Sequence, residues 1–251
     1  MFNILYIWLD QFCVRYADFT WDVSPAMLEA RLKSGLDPKI AHKVIHVPNA
    51  LFPGQIHSLP ISERLPNSLV YMGILDRDQG SDLAIESLQL VIRKIPDAVL
   101  HIVGGAKDDV DRLRKLVARL ELQKRVIFYG FVPDNNEMAK IVRGCMIGLA
   151  PYRSFPDSFR WYGDAGKIRQ YLASGLPVVT TPVPPLGRYV VEKEAAVMAQ
   201  DTIKDFSGEI IKLLLDKELY KKMSEHAKEL SKENTWENTY TSTLKKMEEQ
   251  S

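Results

Sequence analysis

The chain has 251 residues, 46% of them hydrophobic and 26% charged, which suits one large α/β domain with added helices and is too short for two full nucleotide-binding domains. Thirty-three basic residues against 32 acidic ones leave a formal charge of +1, which gives no support to a nucleic-acid binder working through a broad basic footprint. Cys13 and Cys145 lie too far apart for a metal or redox spacing, so a disulfide scaffold is excluded and a reducing, cytoplasmic setting is the default. In chain order, the apolar opening MFNILYIWLDQFCVRYADF lacks a basic leader and a small-residue cleavage site, and Asp10 and Arg15 interrupt it. Leu5, Trp8, Leu9, Phe12 and Cys13 instead share one helical face, predicting an amphipathic helix over Phe2 to Cys13 that needs something to pack against. No window reaches the roughly 18 to 20 apolar residues of a membrane span.

ADFTWDV then reads as a short strand, Ser24-Pro25 as the cap of a helix stopping at Gly35, and Lys43 to Val47 as a second strand. Residues 53–66, with Pro53, Gly54, Pro60 and Pro66 and no periodicity, form the best linker. From residue 67 a regular pattern begins. The runs SLVYMG, AVLHIVG, RVIFYG, MIGLAP, LPVVTT and AAVMAQ alternate with amphipathic segments, as expected of a Rossmann-like parallel sheet with helices on both faces, occupying 67–200. Residues 201–251 read as C-terminal helices, the last packing back on the N-terminal αβαβ element of residues 1–52.

In such a sheet, ligands sit beyond the carboxyl ends of the strands, where strand order reverses. The loop from Gly73 to Gly80 either lets backbone amides approach a phosphate at a helix start or simply makes two tight turns. The second loop, Gly104-Gly105-Ala106, lacks the rest of a dinucleotide fingerprint. Gly130, Phe131 and Val132 offer backbone groups and an aromatic face suited to a nucleobase, although Phe131 equally suits a packing role. The turn Gly163-Asp164-Ala165-Gly166 leads into a helix whose first turn carries Lys167, a point charge for a phosphate or an exposed lysine. Gln170, one turn further, could hydrogen-bond sugar hydroxyls or stand solvated. The five histidines are scattered without a ligand pairing, and no metal or other cofactor is expected.

The run GKIRQYLASGLPVVTT resembles the donor-binding motif of retaining GT-B glycosyltransferases, the group that includes glycosyltransferase family four. The glycine loop after SLVYM, then LHIVGGA, RVIFYGFVP and ENTWENT, is similar to the remaining landmarks of the family's C-terminal half, in the same order. RYADFTWDVSPAM and KVIHVPNAL look like the closing elements of its N-terminal domain. The resemblance implies the C-terminal half of a GT-B fold and a nucleotide sugar, such as a UDP- or GDP-hexose, as substrate. It places Gly130, Phe131 and Val132 at the base and Gln170 at the ribose. Gly73, Arg77, Gly163, Asp164, Ala165, Gly166 and Lys167 fall at the diphosphate and sugar. Its catalytic residues cannot be carried over.

Three departures accompany the resemblance. Tyr162 and Gln170 stand where the family motif has two glutamates. Ile74 and Gln79 replace the usual arginine and lysine of the glycine loop, leaving Arg77, Lys167, Arg153 or Arg160 to neutralise phosphate. Most of the N-terminal lobe is absent from the sequence, so the expectation is a donor-binding half that binds nucleotide sugar weakly and transfers poorly by itself. A separate lobe subunit, a homodimer or peripheral contact with the cytoplasmic face of a membrane could cover the opening helix. A non-catalytic nucleotide-sugar-binding or assembly subunit is the alternative.

Overall fold

The computed structural model describes residues 2–250. Helix α1 (Phe2–Tyr16), strand β1 (Thr20–Asp22), helix α2 (Pro25–Lys33) and strand β2 (Val44–His46) form a small unit in which the two strands pair in parallel. Ser24 caps α2 by accepting a hydrogen bond from the Ala26 amide, and Pro25 sits in the first turn, where no intrahelical N–H is required. Arg31 joins the pieces: its guanidinium contacts the buried Asp22 and pairs with Asp10 at 2.8 Å, linking α2 to β1 and α1. Polar contacts hold α1 further, with Gln11 donating to the Ser34 carbonyl at 2.7 Å and Lys43 to that of Ala17 at 3.0 Å. Val14 is buried beneath the helix, whereas Leu5, Trp8, Leu9 and Phe12 are exposed. The face read as needing a partner therefore lies open among the described residues.

Residues 53–66 follow the surface of the second unit. The His57 amide donates to the Ala173 carbonyl at 3.0 Å, and the buried Arg64 donates to the Tyr220 hydroxyl at 2.7 Å and the Gly175 carbonyl at 3.0 Å. That unit is a six-stranded parallel sheet built from β3 (Ser68–Met72), β4 (Val99–Val103), β5 (Val126–Gly130), β6 (Ile147–Ala150), β7 (Val178–Thr180) and β8 (Ala196–Met198). Their order across the sheet is β5-β4-β3-β6-β7-β8. The apolar runs become strands because the sheet is covered twice. On one side lie α3 (Ser81–Lys94), α4 (Lys107–Arg119) and α8 (Ile203–Leu215), over a core containing Leu69, Tyr71, Leu100 and Phe206. On the other lie α5 (Asn135–Arg143), α6 (Gly166–Ala173) and α7 (Pro185–Glu192), over Val70, Met72, Ile168 and Val190.

Helix α9 (Lys217–Glu233) contributes to both cores, and α10 (Trp236–Gln250) crosses back to the first unit. The Leu51 amide donates to the Asn234 carbonyl and its carbonyl accepts from the Trp236 amide, each at 3.0 Å, while the rings of Trp21 and Tyr240 lie 6.2 Å apart. Among the described residues no helix is long and apolar enough to cross a membrane.

The strand order reverses between β3 and β6, so the loops leaving these two strands diverge and open a crevice at their carboxyl ends. One side chain fastens that point. The Tyr171 hydroxyl accepts from the Met72 amide of β3 at 2.8 Å and donates to the Leu149 carbonyl of β6 at 3.0 Å.

Candidate functional site

The crevice is built from interlocked loops. The Gly73 amide donates to the Val103 carbonyl at 2.9 Å and the Gly104 amide to that of Gly130 at 2.8 Å, which fixes the exits of β3, β4 and β5 side by side. A Cβ on Gly104 would stand 2.3 Å from the Gly73 carbonyl oxygen, so this approach admits only glycine. The glycine loop is pinned at its far end by Gly80, at φ +70°, where a Cβ would lie 1.7 Å from the Pro151 carbonyl oxygen. Between these loops lies a cleft of about 630 Å³ lined by Gly73, Ile74, Gly104, Phe131, Val132 and Met138. Its walls are largely apolar, and the Phe131 ring, 77% exposed, offers an open aromatic face.

Beside Gly73 stands a buried amino group with no hydrogen-bond partner. Lys167, in the first turn of α6, is only 5% exposed, and its ammonium has no hydrogen-bond partner. Its Nζ lies 4.0 Å from the centre of the Tyr71 ring and 4.9 Å from that of Tyr152. The position that a Cβ on Gly73 would occupy is 3.5 Å from the lysine Cε and 3.6 Å from Oε1 of the buried Gln79. Burial pushes the Lys167 pKa well below the usual lysine range, opposed by the Asp76 charge and reinforced by that of Arg160. A buried ammonium held only by two aromatic faces is an incomplete arrangement, and an anion beside the Gly73 turn would complete it.

The family model for glycosyl transferases group 1 matches residues 62–230, a stretch that holds the six-stranded sheet, the glycine loop and Lys167. The chain belongs to this family. Poly(glycerol-phosphate) alpha-glucosyltransferase of Bacillus subtilis (strain 168) is 27% identical over 146 residues, covering 57% of this chain and 20% of that protein. An uncharacterized glycosyltransferase of Haemophilus influenzae is 24% identical over 183 residues, covering 72% of this chain and 48% of the relative. Among solved structures, Anabaena HepE in complex with UDP matches with a TM-score of 0.77 at 17% identity, over 94% of this chain and 65% of that one. That likeness establishes the GT-B type of fold. The chain spans between 20% and 48% of the length of the curated relatives it matches.

Within this glycosyl transferases group 1 chain, the residues expected at the donor separate into groups. Gly73 and Lys167 meet, and Phe131 and Val132 face the same cleft as Gly73, with Gly130 closing β5 beneath them. Arg77 is exposed at the outside of the glycine loop, where its carbonyl accepts from the Gly80 amide at 3.1 Å. Gly166 starts α6 in open space, Ala165 is buried as its cap residue, and Gln170 is half-buried one turn beyond Lys167.

Asp164 is engaged elsewhere. Its carboxylate pairs with Arg169 at 2.8 Å and accepts from the Asn49 amide at 2.9 Å, with both charged side chains almost wholly buried. With Gly163 it lines a hollow of about 420 Å³ along the seam with the N-terminal unit. Of the other basic residues, Arg153 pairs with Asp201 at 3.0 Å and Arg160 with Asp76 at 3.2 Å.

Tyr71 and Tyr152, whose rings meet Lys167, escaped the sequence reading, which had singled out Gln79 only as a lost charge. A tyrosine inside an apolar strand and another just after one carry a weak signal at best, because only the packed sheet shows that both rings meet a lysine from a distant helix.

Proposed function

We propose that this chain binds the nucleotide-sugar donor of a glycosyl transfer that retains anomeric configuration, with the diphosphate beside Gly73 and Lys167 and the base against Phe131. The carrying observation is the buried, unpartnered Lys167 ammonium at the point where the strand order reverses. Three further features support the reading: the family, the fold shared with a UDP-bound neighbour, and an apolar cleft that ends in an exposed aromatic ring.

In the reaction, negative charge builds on the departing nucleoside diphosphate. A cation already fixed by the fold stabilises that charge without reorganising, and a poorly solvated site strengthens its effect. A hexose carried on UDP or GDP is the substrate class. Transfer is proposed for a cleft closed on its open side by a further lobe, which would align the acceptor and exclude water.

Isothermal titration of the full chain with UDP-, GDP- and ADP-sugars tests the reading. Binding of one nucleotide series, lost on Lys167→Ala, is expected. No heat with any of the three would overturn it.

A further inference from the structure

The segment between β6 and α6 is fastened to the glycine loop at two points of unequal strength. At the first, the Arg153 amide donates to the Asp78 carbonyl at 2.9 Å, and the buried Ser158 hydroxyl donates to the Asp78 carboxylate at 2.8 Å. At the second, the Arg160 guanidinium meets Asp76 through a single contact of 3.2 Å, on a carboxylate that is 41% exposed. That contact is the only hydrogen bond of the Arg160 side chain among the described residues, although a guanidinium carries five N–H donors. Its Nε is buried without a partner, and its central carbon lies 4.1 Å from the centre of the Phe159 ring. A single-point ion pair on a partly exposed carboxylate contributes little to stability. The Asp78 contacts therefore hold the segment in place, and the Arg160 pair is not needed for that task.

The pair belongs to the surroundings of Lys167. Tyr71, whose ring carries the lysine ammonium, donates its hydroxyl to the Ile74 carbonyl at 2.6 Å, two residues before Asp76. The charges of Asp76 and Arg160 both reach Lys167, Tyr71 and Tyr152, with opposite effects. Asp76 is also held to its own loop, since its Oδ1 accepts from the Gln79 amide at 2.8 Å and only Oδ2 meets Arg160. We propose that Asp76 is a stand-in anion, which holds Arg160 in the empty protein and yields it to the diphosphate of the donor. A guanidinium grips phosphate oxygens through two parallel N–H donors, whereas here it spends one on a carboxylate. A diphosphate beside Lys167 brings more negative charge and more acceptors than Asp76 offers, and its repulsion of that carboxylate loosens the pair. When the nucleoside diphosphate departs, Asp76 recaptures Arg160. The exchange rests on the donor reading above.

The test is a double-mutant cycle on the full chain, read by isothermal titration with UDP. Arg160→Gln weakens UDP by about tenfold or more, the loss of a charge-assisted hydrogen bond. Asp76→Asn keeps an oxygen for the Gln79 amide, so the loop retains its turn. Its effect on UDP affinity is more favourable by about threefold or more in the original chain than in the Arg160→Gln background, because only the former has a cation to release. A second measurement needs no folded variant for its result. In NMR of the original chain, the Arg160 Nε–H resonance, assigned by its absence from Arg160→Lys, moves on saturation with UDP and stays in place with uridine at equal concentration.

The exchange is overturned if Arg160→Gln binds UDP like the original chain, if the two substitutions act additively, or if UDP leaves the Nε–H resonance unmoved. Where Arg160→Gln fails to fold, Arg160→Lys, which keeps the charge and loses the fork, takes its place in the cycle with the same outcomes. UDP binding that depends on Lys167 and not on Arg160 removes only the exchange. Absence of UDP binding by the original chain removes the donor reading, and the exchange falls with it.

Discussion

Replacing Lys167 by methionine should stabilise the empty protein and disable the proposed donor site together. Methionine keeps the length of the side chain and removes the buried ammonium that has no hydrogen-bond partner. Relief of an unsatisfied buried group is worth about 1–3 kcal/mol, and loss of the contacts with Tyr71 and Tyr152 at 4.0 and 4.9 Å takes back roughly 1–2 kcal/mol. The net gain is on the order of 1 kcal/mol, or a rise in Tm of about 2–4 °C for a domain of this size. Affinity for UDP moves the other way, by roughly 1.5–3 kcal/mol for a lost charge-assisted hydrogen bond, which is about tenfold to a hundredfold.

The depressed pKa adds a pH signature. The unfolded chain holds the lysine proton with an ordinary pKa of about 10.4, whereas burial lowers it in the folded state. The unfolded state therefore binds more protons, so the Lys167 penalty sets in as pH falls through about 10.4 and is complete below the depressed folded value. A bound diphosphate favours the ammonium and restores the pKa, so binding takes up a proton between the two values. UDP affinity should then fall by up to about tenfold per pH unit as pH rises through that interval. Calorimetry in buffers of different ionisation enthalpy measures the uptake. A Lys167→Met variant that binds UDP like the original chain, or binding without proton uptake in the original, would refute the reasoning.

Three other perturbations probe the frame around that lysine. Gly80→Ala places a Cβ 1.7 Å from the Pro151 carbonyl oxygen at φ +70° and should cost at least about 3 kcal/mol in urea denaturation, whereas Gly166→Ala, with open space, should stay within roughly 0.5 kcal/mol. Asp164→Ala leaves the buried Arg169 without its carboxylate and should cost about 3–5 kcal/mol, with hydrogen exchange at the Asn49 amide accelerating beyond the global loss. Phe131→Ala, at a ring 77% exposed, should leave stability within about 0.5 kcal/mol and weaken UDP by roughly 1–3 kcal/mol in a fluorescence titration.

The architecture was legible in the sequence because a parallel sheet covered on both faces needs strands that are apolar at every position. SLVYM, VLHIV, IGLA and VVT satisfy that almost without exception, and each is a strand at the expected place. The glycine loop and the Phe131 turn were also legible, since strand ends followed by glycine mark the crevice side of such a sheet. Pairing across long separations was not. Asp164 sits between two glycines before a helix, which suggests a phosphate turn. Its carboxylate meets Arg169 on the helix that follows and the amide of Asn49 from the N-terminal unit. No periodicity encodes that meeting. The open face of α1 is a similar case: the pattern shows an apolar stripe at Leu5, Trp8, Leu9 and Phe12 but carries no information about what covers it.

The same geometry accounts for departures that the sequence presents as losses. The family resemblance places a lysine at the position of Gln79 and glutamates at those of Tyr162 and Gln170. In the structure, Oε1 of Gln79 and Nζ of Lys167 lie 3.6 and 3.7 Å from the same point beside Gly73. The cation beside this turn is supplied by the first turn of α6, and the loop contributes the neutral Gln79. Keeping both lysines would set two like charges around one buried point, at a large desolvation and repulsion cost. Residues 162 and 170 are neutral as well, so neither adds a carboxylate around the start of α6. A carboxylate near the start of α6 would be free to pair with Lys167 and neutralise it, whereas the acid that is present, Asp164, is occupied by Arg169 and Asn49. The neutral residues at 79, 162 and 170 therefore leave Lys167 as the single cation beside the Gly73 turn. On this reasoning, Gln79→Lys should restore affinity for UDP in the Lys167→Met background while destabilising the empty chain when Lys167 is retained. Equal effects of Gln79→Lys in the two backgrounds, read by UDP titration and thermal melting, would show that the two positions act independently.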